Sequence, residues 1–133
     1  MKKLIAISLF VMLGMAINAQ QGYMTFYNDT VNGDTVVNTS SVNVPYNGFI
    51  TFDVDVKGKA VNDTVYIDFQ GSNDAWTSFK TISTTTHIQA GTAFTKYQLL
   101  ANPATYLRYR LTYRAYEVAD TAYFKNQVFI YKR

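Results

Sequence analysis

The chain has 133 residues, no cysteine and one histidine, enough for one domain with its own core. This composition excludes a disulfide framework, a lipidated cysteine and any metal site built on thiolates or several imidazoles. The formal charge of +3 overstates its basic character, because Lys2 and Lys3 sit in a leader, residues 20–75 hold seven Asp against Lys57 and Lys59, and residues 76–133 hold eight Lys and Arg against Glu117 and Asp120; halves of opposite sign suit cross-strand pairing and lack the unopposed basic footprint of a nucleic-acid binder.

Met1-Lys2-Lys3 is a basic n-region, and "LIAISLFVMLGMA" at 4–16 is apolar and uncharged. It is shorter than the roughly 20 residues a spanning helix needs. Ala19 precedes the expected cut, so 1–19 reads as a secretory signal peptide and 20–133 as the domain. An uncleaved N-terminal anchor is the competing reading. The leader resembles those of Gram-negative bacteria, implying a secreted, cell-surface or periplasmic protein with no membrane span in the mature chain.

After the leader, apolar residues recur with period two, as in half-buried strands. The first strand is expected near 23–27, followed by turn chemistry around Asn32-Gly33. A second covers 35–44 and stops at Pro45. The third, 49–57, alternates Ile50, Phe52, Val54 and Val56 against Thr51, Asp53 and Asp55. The fourth, 64–72, points Val65, Ile67 and Phe69 inward and Tyr66, Asp68 and Gln70 outward. Ser72-Asn73-Asp74-Ala75 is a hairpin turn, and a fifth strand runs from Trp76 to about Ser83. Residues 84–94 read as loop, 95–100 as a sixth strand and "ANPA" as a turn. The seventh, 105–117, places Leu107, Tyr109, Leu111, Tyr113 and Ala115 on one face, and the eighth is 121–133. Eight short strands between turns predict an all-β fold, a single antiparallel two-sheet sandwich of jelly-roll type.

The stretch "YIDFQGSNDAWTSFKTI" resembles a hairpin of discoidin-like sandwiches and of bacteriophage virion β-domains, and "YLRYRLTY" is similar to a later strand of theirs. The likeness spans half of the mature chain and departs from the pattern at Ala75, where a Gly-x-x spacer would precede the Trp. It implies a sandwich and no particular site residue.

Little in the sequence carries catalytic chemistry. His87 is the only imidazole base, no nucleophile-elbow motif accompanies it, and it is expected in a solvated Thr-rich loop; the chain does not read as an enzyme. Asp53, Asp55 and Asp68 on outward faces admit calcium, which prefers such oxygen clusters. Residues two apart on a strand point in parallel about 7 Å apart, however, so a solvated acidic face is the competing reading. Tyr106, Arg108, Arg110, Thr112, Arg114 and Tyr116 line the outward side of the long strand. They suit carboxylates, phosphates or sugars, unless the arginines pair with Asp53, Asp55 or Asp68. Trp76 reads as a hairpin plug or as a sugar-stacking ring. Thr30, Thr35, Thr64 and Thr121 each follow an Asp; the motif resembles a bacterial O-glycosylation acceptor, although Asp ending a turn before a strand accounts for it equally.

The function expected is that of a non-catalytic exported β-sandwich acting by surface contact, as an adhesion, matrix or assembly module. Its partners would be other proteins or surface glycans, with self-assembly open and no cofactor required. Alternatives are a carbohydrate-binding module and a phage virion structural or decoration protein.

Overall fold

The period-two alternation becomes nine strands in a computed structural model, which describes residues 23–45, 47–74 and 78–131, with backbone alone for 23–27 and 131. The signal-peptide reading at 1–19 and the residue Trp76 lie outside the described residues. The strands are β1 (Tyr23–Asn32), β2 (Val36–Asn38), β3 (Val42–Asn43), β4 (Phe49–Gly58), β5 (Thr64–Ser72), β6 (Lys80–Ile88), β7 (Thr95–Ala101), β8 (Arg108–Ala115) and β9 (Thr121–Tyr131). One sheet has the order β1-β9-β4-β7; the other runs β2-β8-β5-β6, with β3 also pairing β8. Every pairing is antiparallel. Among the long strands only β5 and β6 form a hairpin, and the other long connections cross between sheets. With β2 and β3 taken as two pieces of one strand, this is the jelly-roll order of a β-sandwich. No helix among the described residues is long and apolar enough to cross a membrane.

The inner faces are those the alternation indicates. Ile50, Phe52, Val54 and Val56 of β4 face Val65, Ile67 and Phe69 of β5 and Tyr109, Leu111 and Tyr113 of β8, all buried. Aromatic contacts tie the two layers together and brace neighbouring strands within one of them. The Phe52 ring meets Phe69 edge-on at 5.7 Å, Phe69 stacks on Tyr109 at 5.4 Å, and Tyr113 stacks on Phe124 at 3.8 Å. The buried phenols keep partners, as burial demands. Tyr109 Oη accepts the Thr105 and Tyr106 backbone N–H at 2.9 and 3.0 Å, and Tyr113 Oη donates to Asn126 Oδ1 at 2.6 Å.

Several elements depart from the sequence reading, each for a local reason. The predicted strand at 35–44 is broken because Thr39 takes over part of the ladder. Its N–H donates to Leu111 O at 2.9 Å and its hydroxyl accepts Leu111 N–H at 3.0 Å. The loop predicted at 84–94 is strand as far as Ile88, because Thr84, Thr85, Thr86, His87 and Ile88 pair with β5. Leu107, expected inside, is 51% exposed, and Tyr106 precedes β8 and lies against Gly71, where an added Cβ would overlap its ring.

The Asp-Thr pattern has three turns behind it and one exception. Asp63 Oδ2 accepts Ala60 N–H and Asp120 Oδ2 accepts Glu117 N–H, so each closes the turn before its strand. Thr35 N–H closes onto Asn32 O. Asp29-Thr30-Val31, by contrast, lies inside β1, which continues to Asn32 against β9.

Asp29 points into the sandwich, where Asn126 Nδ2 donates to its carboxylate at 3.4 Å beneath Tyr113. Burial raises the Asp29 carboxyl, and burial followed by the Asp29 charge raises the Tyr113 phenol. A carboxyl raised on folding favours the native state below its unfolded value near 3.8, and that contribution is lost as pH rises through the folded value. Asp29→Asn is therefore expected to melt above wild type at pH 7, with the gap closing as pH falls toward 4. Melting curves at several pH values check this, and a gap independent of pH would remove Asp29 as its source.

Candidate functional site

The outward face of the β2-β8-β5-β6 sheet is a connected polar and aromatic layer. Register places Thr84, Asp68, Thr112 and Asn38 in one row across four strands, and Gln70 beside Arg110 and Tyr66 beside Arg114 in the flanking rows. The Thr84 hydroxyl donates to Asp68 Oδ1 at 2.7 Å, and Arg114 Nε donates to Asp68 Oδ2 at 2.9 Å. Arg110 Nε donates to Gln70 Oε1 at 2.8 Å, the Thr112 hydroxyl lies 2.6 Å from Asn38 Oδ1, and Gln70 Nε2 donates to the Thr81 hydroxyl at 3.3 Å. Rings brace the cations. The Arg110 guanidinium lies 3.9 Å from the Phe79 centroid, Arg114 lies 5.1 Å from Tyr66, and Tyr66 meets Tyr116 edge-on at 5.9 Å. The hydrogen bond to Asp68 raises the Arg114 guanidinium above its usual value, while burial lowers Arg110.

Of the residues proposed to bind ligand, the fold gathers Arg110, Arg114 and Tyr116 on this face. Tyr106 does not join them, because it packs on Gly71 and meets Tyr109 edge-on at 5.9 Å. Arg108, half-buried, pairs across the sheet with Asn43 and Ser72. Trp76 lies outside the described residues, though the turn before it is built as hairpin chemistry suggests. Ser72 Oγ donates to Asp74 Oδ1 at 2.8 Å, and Asp74 Oδ2 accepts the Ser78 hydroxyl at 2.6 Å.

The three carboxylates considered for calcium do not converge. Asp53 and Asp55 belong to β4 and Asp68 to β5, in different sheets. Pointing outward from each, they emerge on opposite sides of the sandwich. Asp68 is 5% exposed and held by Arg114, so it is not the solvated residue the alternation suggested. The pairing expected between Asp68 and Arg108 or Arg110 goes to Arg114 instead. Asp55 meets Lys96 at 3.9 Å. Both ion pairs join an Asp of the acidic half to a cation of the basic half. Among the four threonines after Asp, Thr30 and Thr35 are exposed and Thr64 and Thr121 half-buried. The Thr35 and Thr64 hydroxyls donate to Asn32 and Asn62 carbonyls.

His87 overturns its sequence reading. It is 2% exposed, on the inward side of β6. Gln89 Nε2 donates to the Gly91 and Ala93 carbonyls, which leaves Gln89 Oε1 to accept Gly58 N–H at 2.8 Å and the His87 Nε2 proton at 2.9 Å. The ring proton is thereby assigned to Nε2, and Nδ1 accepts from the Tyr97 hydroxyl at 3.1 Å. Nε2 thus helps hold the 89–93 segment against the end of β4 through Gln89, and Nδ1 ties β6 to Tyr97 of β7.

Sequence reasoning missed the outward face of the other sheet. There β4 is central, with Thr51 beside Phe129 and Leu100, and Asp53 beside Gln127 and Gln98. Thr51 and Asp53 form the floor of a trough whose walls are the longer side chains of β9 and β7. Phe49, Thr51, Asp53, Gln98 and Phe129 line a depression of about 400 Å³. A second, of about 190 Å³, shares Asp53 and continues past Asp55, Lys96 and Lys125. Gln98 Nε2 donates to Asp53 Oδ1 at 3.0 Å. Phe94 closes the far end under two cations, 4.6 Å from Lys125 Nζ and 5.9 Å from Lys57 Nζ. The alternation of Phe49, Thr51 and Asp53 on one side of β4 was the available signal; the walls came from strands distant in sequence.

Compared with family models and with curated protein sequences, the chain matches none.

Proposed function

We propose that this protein is an exported, non-catalytic β-sandwich that works by surface contact, as an adhesion, matrix or assembly module. The observation that carries the reading is the braced face of Arg110, Arg114, Tyr66 and Tyr116. Tyr and Arg are the side chains that dominate contact energies, and side chains already ordered by their neighbours lose little entropy on binding. The commitment of both His87 nitrogens to structural hydrogen bonds supports a role without acid–base chemistry.

The test uses beads coated with the full mature chain and applied to the surface of the expressing cells. Arg110→Gln/Tyr116→Ser is the appropriate variant, because removing Arg114 would leave Asp68 buried and uncompensated. Wild-type beads are expected to be retained, and variant beads with an unchanged melting curve about tenfold less. Equal retention of both, or retention of wild type no better than bare beads, would sink the reading.

A further inference from the structure

We infer that the trough over β4 is a binding site for neutral oligosaccharides. The inference rests on the surface-contact reading and names a partner class for the face opposite the Arg and Tyr layer. The floor strand has β9 on one side and β7 on the other, so its backbone is spent on the ladders. A peptide could not add to it as a strand, and recognition must come from side chains alone. Those side chains alternate in kind. Phe49 and Phe129 flank one end of the 400 Å³ depression, while Thr51, Asp53 and Gln98 line the rest.

This is the pairing a sugar ring requires. The negatively polarised face of a phenyl ring attracts the C–H face of a pyranose. Planar carboxylate and amide groups then take up its hydroxyls as acceptors and donors. The Asp53–Gln98 hydrogen bond uses one oxygen of the carboxylate and one amide proton. Asp53 Oδ2, Gln98 Oε1 and the second amide proton remain for ligand, with the Thr51 hydroxyl and the Gln127 amide alongside. The walls stand two strand spacings apart, about 10 Å, and Thr51 and Asp53 lie about 7 Å apart along the floor. The site is therefore long enough to follow an oligosaccharide beyond one residue. Charge selects within the class. Asp53 is the one charged side chain lining the 400 Å³ depression and disfavours uronic and sialic acids there, while Lys96, Lys125 and Lys57 stand beyond it toward Phe94.

The test is an array of neutral and acidic oligosaccharides probed with the full mature chain, followed by calorimetric titration of the neutral ligand it retains. Phe129→Ala and Gln98→Ala are expected to weaken binding about tenfold each, and Arg110→Gln/Tyr116→Ser to leave it unchanged. Gln98 is exposed, so its variant keeps the test decisive if Phe129→Ala fails to fold. An array with no bound glycan, binding confined to acidic glycans, or affinity indifferent to Gln98→Ala would overturn the inference. If beads still adhere through the Arg and Tyr face while no glycan binds, the trough assignment alone falls. If glycans bind at the trough while Arg110→Gln/Tyr116→Ser beads adhere normally, the contact face was misplaced and the trough stands.

Discussion

Phe69→Ala is expected to lower the unfolding free energy by about 3–5 kcal/mol, the range for truncating a fully buried aromatic. Phe69 is 1% exposed and is the middle ring of the Phe52–Phe69–Tyr109 chain that joins the two sheets. Its loss removes burial, leaves a cavity where two layers meet, and ends two ring contacts worth about 0.5–1.5 kcal/mol each beyond their area. There is no cysteine anywhere in the chain, so no disulfide limits the unfolded state, and the core carries the stability. Against the roughly 5–15 kcal/mol of an ordinary domain, this one change consumes a large share. Urea unfolding followed by circular dichroism measures it. Ile82→Ala, at a residue 43% exposed on the edge strand, serves as the control and should cost far less. Similar losses for the two variants would mean that the inter-sheet aromatics do not hold the layers together.

Gln89→Ala is expected to cost about 2–5 kcal/mol. Four hydrogen bonds converge on this side chain, from Gly58 N–H and His87 and to the Gly91 and Ala93 carbonyls. Truncation leaves the Gly58 N–H and the His87 Nε2 proton buried without acceptors, and an unsatisfied buried donor costs about 1–3 kcal/mol. Space does not allow an easy collapse, since the Gly58 backbone is tight against Gln89; a Cβ on Gly58 would come within 2.7 Å of the Gln89 Cβ. Amide hydrogen exchange gives the local readout. The Gly58 amide should lose protection in Gln89→Ala while the amide of Val128, laddered between β1 and β4, retains its own relative to the global stability. Unchanged protection at Gly58 would show that the glutamine is not its acceptor.

The inner faces of β4, β5 and β8 were legible because period two is a local property. Ile50 to Val56 and Tyr109 to Tyr113 carry their own record of which side is buried, whatever strand lies beside them. The second half of β6, residues 84–88, was not legible in the same way. "KTISTTTHI" has no apolar alternation, because an edge strand buries little. Its regularity comes from pairing with β5, fourteen or more residues away for most of its length. His87 was misread for the same reason. A Thr-rich neighbourhood suggests water, yet alternation along β6 turns this one residue inward beneath Tyr97 and Gln89.

The sequence alone determined the all-β class, the inward residues of the regular strands and the turn chemistry at Asp63 and Asp120, since each follows from neighbours within a few positions. Only the tertiary structure decided which surfaces exist. Jelly-roll crossovers send β4 and β5, adjacent in the chain, into different sheets, so Asp53 and Asp55 come to line a trough with Phe129 and Gln98 while Asp68 is sealed under Arg114 on the other side. Side-chain period says which way a residue points from its own sheet; which residues it meets there depends on register between strands far apart in sequence.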